Sequence, residues 1–579
     1  MSEIRKFVIS KATGNHADVF AAIGLADLLS RASQAGEIQI KESSTGFEVS
    51  ASSTADGIGS IAQTAGYPFL KTNQKVVVPS RVNDWVDYKK EKEKADRRKK
   101  LLRGKSRKSA SSEIEELLKQ EEPRPDWRLL QVLNTLQGDE TSNRIHELIV
   151  TMKSGEFSRA IATALEAVTD SRPSGLDWPA NSVQLFTPSA AKGYSRLKPD
   201  STDRNDKTKE QWTDPFIEWL RYRGYYAVAC PFFQGQKAEN IRLLCPIPSD
   251  LSLNSFKAVA NELRTAGIFG GPPKLDSLAA LKLAEILIRH SEEYSLSAAS
   301  RPFPGIRIKG KRPTDIISGL FVTNYQSLGN AKAVSAITVI ALPGWFALND
   351  PADAEAFLAV LDEHQRAVRS LQDDHSDEIG LLIHYRRFLE ARGEQAIITL
   401  VDFMARFGAL VLRAREQGRR IPQFTTVNLE KLAMGNAQKL SEVLADSGFK
   451  AVAAAIRSAT VNAQAQKAMN RADYREIRYD LLPDLRRKSS LPGNQSLVEA
   501  ISEFVSLYNV ENARRRELGK QAPRNVTTEE FETLVRLIDS HRASTVGPML
   551  CAYGSCRLPR EGEPEDQDTE PETITKLEK

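Results

Sequence analysis

Residues 214–224 have the sequence DPFIEWLRYRG, which is punctuated like a helix at both ends. Asp214 is a good N-cap because its carboxylate accepts hydrogen bonds from the first free N–H groups, and Pro215 suits the first helical position. Gly224 predicts the end of the helix, since glycine is common just past the last turn. Three apolar residues share one helical face: Phe216, Trp219 and Leu220.

Strand-like segments follow this helix. The runs Tyr225–Cys230 and Ile241–Cys245 bracket a polar turn at Gln234–Lys237, and similar runs return at Ile316–Tyr325 and Val334–Leu342. Short connections between successive strands favour antiparallel pairing. We therefore expect one antiparallel sheet that continues to about residue 345.

The amino-terminal segment has a mixed pattern of its own. It predicts a strand at Phe7–Ser10, a helix at Val19–Leu29 and a hairpin with strands Glu37–Lys41 and Phe47–Ser50. Apolar and polar residues alternate on both sides of the hairpin's polar turn. Residues 1–345 are therefore predicted to form a mixed α/β region with an antiparallel sheet.

From Asp350 to His541 the pattern is helical. Thr527 and Glu530 form a capping box ahead of an amphipathic segment. Five apolar residues fall on one face of another helix: Leu497, Ile501, Phe504, Val505 and Tyr508. The predicted fold class is thus α+β, with an all-α helical bundle over residues 346–560. Residues 561–579 are predicted to be a disordered acidic tail.

Composition excludes several classes of protein. A hydrophobic share of 41% and a charged share of 27% in 579 residues are ordinary for a folded chain. The polar start lacks the apolar core of a secretory signal, and the longest nearly uncharged run, Ala333–Leu348, is too short to span a bilayer. A cytoplasmic protein is predicted. The four cysteines form no CxxC pair and are expected to be core thiols.

Basic segments favour a nucleic-acid partner. Residues 86–110 form a basic arm, in which twelve Lys or Arg and three acidic residues lie between Lys89 and Lys108. Because apolar spacing is nearly absent there, the arm is expected to be a solvated helix or a mobile segment that contacts phosphates. Residues 190–210 predict a mobile polar loop, and Met404–Arg560 carries 25 basic against 16 acidic residues.

Amide side chains in polar turns add a means of reading bases. Asn15, Gln234 and Gln236 could reach base edges in a groove, although the ordinary role of each is that of a turn amide. The predicted DNA-binding residues are Lys11, Asn15, Arg97, Arg98, Lys99, Lys100, Lys192, Arg196, Lys198, Gln234, Gln236, Lys237, Arg486, Arg487, Lys488, Arg514, Arg515 and Arg516.

Motifs of catalysis are missing from the sequence. It has no hydrolase or metalloprotease signature, so we predict a protein that is not an enzyme and that binds no cofactor or metal. The acidic run Asp373–Glu378 could bind a divalent cation, but an exposed loop between helices is expected. Two alternatives stay open: a metal-dependent nuclease that uses Asp373, Asp374 and Asp377, and a helical scaffold or adaptor without a nucleic-acid partner.

Two separated patterns of residues form a family resemblance. The first is Leu185-Phe186-Thr187-Pro188 with Lys192-Gly193 and the Trp212–Gly224 helix. The second extends from Asp473-Tyr474-Arg475 to Tyr508-Asn509-x-Glu511-Asn512. Together with the early Gly14-Asn15, they resemble the large subunit of type I CRISPR surveillance complexes (Cascade), in the I-A/I-B-like group, over about half the chain.

The resemblance implies a non-catalytic role in antiviral defence. Such a subunit recognises the protospacer-adjacent motif in duplex DNA and stabilises the opened target, or R-loop, while a guide RNA reads the remaining sequence. The implied partners are the guide RNA, the target duplex and its displaced single strand, the backbone and handle-binding subunits, a small subunit and a recruited helicase-nuclease.

An internal translation start is a further expectation from the resemblance, because some type I complexes obtain their small subunit from the large-subunit gene. Glu430-Lys431 is encoded by purine-rich codons that resemble a ribosome-binding site shortly before Met434. The product Met434–Lys579 would contain 146 residues. The alternative is that Met434 is a buried methionine at the end of a helix.

Overall fold

Two four-stranded antiparallel sheets form the centre of the amino-terminal part of this computed structural model. The structure describes residues 3–31, 37–53, 61, 63–103, 112–179, 183–186, 214–234, 240–294, 302–303, 305–327, 332–436, 438–469 and 474–559. The strands are β1 (Glu3–Ser10), β2 (Ile38–Glu42), β3 (Gly46–Ser53), β4 (Phe69–Lys71), β5 (Trp85–Asp87), β6 (Cys230–Gln234), β7 (Asn240–Pro248), β8 (Asp250–Ser252), β9 (Ile317–Ser327) and β10 (Lys332–Ala341). The first sheet has the order β1-β3-β2-β8, the second has the order β10-β9-β7-β6, and β4 and β5 form a separate parallel pair.

Helices cover the sheets and form the carboxy-terminal part. Those of the first part are α1 (His16–Leu29), α2 (Tyr88–Arg103), α3 (Ser112–Gln120), α4 (Trp127–Thr135), α5 (Asp139–Thr151), α6 (Ser154–Thr169), α7 (Pro215–Val228), α8 (Leu253–Thr265), α9 (Pro272–Arg289) and α10 (Pro313–Ile316). Those of the second part are α11 (Pro351–Ser370), α12 (Ser376–Glu390), α13 (Glu394–Glu416), α14 (Thr426–Asn436), α15 (Gln438–Ala445), α16 (Ser447–Arg457), α17 (Ala463–Ala468), α18 (Leu481–Ser489), α19 (Gln495–Glu517), α20 (Thr528–His541) and α21 (Ala543–Ser555). The predicted α+β fold class is confirmed.

The predicted strands and caps are confirmed in most places. The hairpin is β2 and β3, and β9 pairs with both β7 and β10 in one sheet, as the spacing of the later strands predicted. The Asp214 carboxylate accepts hydrogen bonds from the N–H groups of Phe216 and Ile217, and the capping box of Thr527 and Glu530 starts α20. The two caps depend on residues within a few positions of one another, whereas the pairing of β7 with β9 joins distant segments.

The predicted end of α7 at Gly224 is wrong. The helix continues to Val228, so the predicted strand at Tyr225–Cys230 is instead the last turn of α7 followed by the start of β6. Gly224 lies where α7 crosses α1, and a Cβ atom there would be 1.9 Å from the carbonyl oxygen of Phe20. Gly24 of α1 faces the carbonyl oxygen of Leu220 at the same distance. Both glycines therefore permit the close approach of two helix backbones.

Helix α1 is the central helix of the amino-terminal part. Every one of its residues is buried, because it packs against α7 and against strands of both sheets. The predicted helix at Val19–Leu29 is confirmed and begins one turn earlier, at His16. A mostly small and apolar sequence suits this position, since α1 is covered on all sides.

In the carboxy-terminal part, α13 packs against α12, α18 and α21. It is the one described helix that is long and apolar enough to cross a membrane, and 67% of its apolar window is buried inside the protein. The core helix of a globular bundle has the same composition.

Met434 lies in α14 with 68% of its surface exposed, so the alternative of a buried methionine is wrong.

Helix α9 joins the sheet to the helical part. Asp276 of α9 is fully buried and accepts two hydrogen bonds of 2.5 Å from Arg242 of β7. Arg386 of α12 donates to the same carboxylate at 3.0 Å. The α9 helix also packs against α11 and α12. The predicted boundary at residue 345 is therefore crossed by a buried ionic network.

Candidate nucleic-acid interface

Within the basic arm, Tyr88–Arg103 form the helix α2, which has one side packed against the protein, and residues 104–110 lie outside the described part of the chain. Tyr88 contacts the ring of Trp127 at 5.2 Å, and Ala95 packs against the core on the same side. Between them Glu91 is buried and accepts hydrogen bonds from Lys94 and from the N–H of Arg124. The inner face thus uses an aromatic ring, a small residue and a bonded carboxylate, which explains why the sequence shows little apolar spacing.

An acidic segment of the same chain neutralises part of the arm. The two residues directly after the end of α3 are glutamates. The carboxylate of Glu121 lies 2.9 Å from Arg97, and that of Glu122 lies 3.4 Å from Arg98. The hydrogen bond that Arg97 donates to the Glu121 carboxylate raises the pKa of Arg97. Arg98 also donates to the carbonyl oxygen of Leu118. These two arginines therefore have partners within the protein.

The outer face of α2 keeps exposed cations. Lys89, Lys90, Lys92 and Lys100 are exposed, and none has a carboxylate within 4 Å in the part of the chain that the structure describes. Lys99 is exposed as well. Two acidic residues, Glu93 and Asp96, share this face and reduce its net charge. Of the residues predicted on the arm, Lys99 and Lys100 lie where a phosphate could reach them.

Sequence reasoning missed Trp85, which stands directly before α2. It belongs to β5, and 42% of its surface is exposed while the next residue, Val86, is buried. The ammonium of Lys71 on the paired strand β4 lies 5.7 Å from the centre of the indole ring. A tryptophan immediately ahead of a basic run was the available signal.

Three of the residues predicted to contact DNA in the first part of the chain bind other groups of the protein: Lys11, Asn15 and Gln234. Asn15 is 6% exposed and caps α1, where its side-chain oxygen accepts a hydrogen bond of 2.8 Å from the N–H of Ala17. Lys11 forms an ion pair of 2.8 Å with Glu42. Gln234 is half-buried and donates to the carbonyl oxygen of Gly270. The base-reading role predicted for Asn15 has a structural obstacle, because the amide is buried and already used.

Five of the predicted residues lie outside the described part of the chain. Nothing follows from the structure about their contacts. They are Lys192, Arg196, Lys198, Gln236 and Lys237.

The two carboxy-terminal arginine clusters lie at opposite ends of α19. Arg486 and Arg487 in α18 are close to Asp402 (3.4 Å) and Asp484 (2.5 Å), and Lys488 follows them before α19 begins. Arg514, Arg515 and Arg516 form the last turn of α19, about 30 Å further along at 1.5 Å per residue. Exposed acidic residues, Glu499 and Glu503, lie between them. The clusters are therefore two separate patches.

The acidic run at residues 373–378 is used for internal contacts. Asp373 accepts a hydrogen bond from the N–H of Gly271 at the start of α9, and Asp377 lies 3.4 Å from Arg413. Burial alone would raise the pKa of Glu378, but hydrogen bonds from Arg419 and the N–H of Gln372 lower it. The described residues contain no group of acidic, histidine or cysteine side chains that could hold a metal ion.

Buried titratable groups anchor the residues that precede the predicted loop. His16 donates to or accepts from two partners, the carbonyl oxygen of Leu185 at 2.7 Å and the hydroxyl of Thr323 at 2.8 Å. Burial lowers the pKa of His16 to about 4, so the imidazole is neutral, and its Nε2 donates to the carbonyl. Tyr325 donates to the same carbonyl. These contacts fix the backbone at Leu185 to α1 and β9.

No protein-family model matches this chain, and no curated protein matches it either.

Proposed function

We propose that this protein is a nucleic-acid-binding, non-catalytic large subunit of an RNA-guided DNA surveillance complex. The observation that carries the binding role is the outer face of α2, which follows the exposed Trp85 in the chain. Lys89, Lys90, Lys92 and Lys100 are exposed there, and none of them has a carboxylate within 4 Å among the described residues. Such a face attracts phosphates, because each neutralised phosphate releases counterions. The assignment to a surveillance complex is supported by the resemblance of residues 185–224 and 473–512 to the Cascade large subunit.

A second argument for a non-catalytic role is that the carboxylates of the alternative, a metal-dependent nuclease, have other partners. Such an enzyme needs carboxylates that converge on a shared cation. Asp373 instead accepts a hydrogen bond from the N–H of Gly271, directly before α9, and Asp377 lies beside Arg413. The proposed role therefore leaves cleavage to a recruited helicase-nuclease and DNA opening to the assembled complex.

The test is an electrophoretic mobility shift with the full chain on duplex DNA, single-stranded DNA and RNA at several salt concentrations. We expect binding whose affinity falls steeply with salt. The variant Lys89→Ala/Lys92→Ala should flatten the slope of log affinity against log salt by up to about 2. The matched control Arg144→Ala/Arg172→Ala removes the same charge from exposed arginines that already pair with Glu140 and Asp170.

Equal slopes for the two variants would contradict phosphate contact by α2. A wild-type chain that binds no nucleic acid at low salt would favour the scaffold or adaptor alternative. The assignment to a complex has its own test, which is purification of the tagged chain from its source cells. Recovery of a guide RNA and of backbone subunits is expected, and recovery of the chain alone would contradict that assignment.

A further inference from the structure

The strand β5 presents an aromatic ring on a rigid support. Trp85 points away from the core, because its neighbour Val86 is buried and successive residues of a strand face opposite sides. The backbone of β5 pairs with β4 in the register Phe69 to Trp85 and Lys71 to Asp87. The indole is thus held in place by strand pairing while much of its surface faces solvent.

One cation lies against this ring and others follow it along the chain. Lys71 lies 5.7 Å from the ring centre, and Lys89 and Lys92 follow in the first turns of α2. Residues 71–100 contain eleven Lys or Arg against five acidic residues. Two of those acidic residues flank the tryptophan: Asp84 lies 4.0 Å from Arg124, and Asp87 accepts a hydrogen bond from the N–H of Lys90. The surface beside the ring therefore suits an anionic polymer.

We infer that Trp85 and Lys71 begin a binding site for single-stranded nucleic acid, in which the indole stacks on an unpaired base. This inference rests on the proposed function and names its substrate class. A nucleotide carries a flat base and a phosphate, and the pair of side chains offers a partner for each. Bases in a duplex already stack on their neighbours, so the ring can use only an unpaired one.

The length of α2 fits a strand that continues from the stacked base. Lys89 and Lys100 are separated by about 17 Å along the helix, at 1.5 Å per residue. A strand whose bases stay stacked as in a duplex rises 3.4 Å per nucleotide, so that distance corresponds to about five of its phosphates. The lysines in the first turns of α2 therefore meet the phosphates nearest the stacked base and Lys100 meets the last of the five, whereas Trp85 alone contacts a base.

The experiment compares three ligands of equal length with the full chain: oligothymidine, an abasic strand and a duplex. Wild-type protein should prefer oligothymidine to the abasic strand, which keeps the phosphates but lacks bases. Trp85→Ala should weaken binding to oligothymidine by about 5- to 150-fold and leave the abasic strand nearly unaffected. Trp85→Phe should retain most of the affinity. Because Trp85 is exposed, both variants should fold, which circular dichroism checks.

A matched control is Phe269→Ala, which removes another exposed aromatic ring from a different part of the surface. It should leave the preference for oligothymidine unchanged. Equal losses of Trp85→Ala on oligothymidine and on the abasic strand would overturn the stacking role, as would equally tight binding of polyglutamate, which would indicate an acidic peptide as the partner. Absence of all binding by the wild type would refute the proposed function itself, and would remove this inference with it.

Discussion

The crossing of α1 and α7 predicts a large effect of a single methyl group. In Gly224→Ala the new Cβ atom would lie 1.9 Å from the carbonyl oxygen of Phe20, whereas ordinary contact begins near 3.4 Å. Both groups are attached directly to helix backbones, so no rotamer change can relieve the overlap. The helices must separate by about 1.5 Å, which removes a large part of the dispersion energy of neighbouring contacts.

The size of the effect follows from opposing terms. Overpacking in a closely packed core costs about 1–3 kcal/mol and occasionally more. Alanine gains about 1 kcal/mol over glycine through helix propensity. Because α1 is buried along its whole length, a displacement affects contacts on every side. We therefore expect the free energy of unfolding of the amino-terminal part to fall by about 2 kcal/mol or more.

The assay combines thermal unfolding with hydrogen exchange of the α1 and α7 amides, since a chain of 579 residues need not unfold in one step. Gly380→Ala is the matched control, because Gly380 lies in α12 with no atom within 4 Å of its added Cβ atom. That variant should be slightly stabilised through helix propensity. The double variant Gly24→Ala/Gly224→Ala should lose less than the sum of the single losses, because either change already separates the helices. A Gly224→Ala protein as stable as the control would refute the crossing geometry.

Three further outcomes are expected. Burial raises the pKa of Glu218 to about 7, so the folded state binds this proton more tightly than the unfolded state does. The free energy of unfolding should therefore fall as pH rises from about 4.5 to about 7. Glu218→Gln should flatten that fall in denaturant titrations at several pH values, and an unchanged pH profile would contradict the prediction. All four cysteines are buried, and burial raises their pKa, so a thiol reagent should label none of them until denaturant is added; rapid labelling of the native chain would contradict the packing. A carboxy-terminal tag should reveal a second product near the size of 146 residues that disappears in Met434→Leu while the full-length chain remains, and a single band in both would end the internal-start hypothesis.

Local features of this protein were determined by the sequence alone. The cap at Asp214, the capping box at Thr527 and the hairpin after Glu37 each depend on residues within a few positions of one another. Their defining hydrogen bonds close within one turn or one strand pair, so the local sequence is enough to predict them. The α+β class follows from the same local periodicities.

Only the tertiary structure decided which residues have distant partners. Gly224 has the sequence signature of a helix end, yet α7 continues through it, and the glycine instead makes room for the backbone of Phe20, about two hundred residues earlier. Arg97 belongs to a basic run, yet the later Glu121 pairs with it. The exposure of Trp85 depends on the parallel pairing of β4 with β5. Composition fixes how many charges and rings the chain has, but the packing of distant segments determines which of them remain available to a ligand.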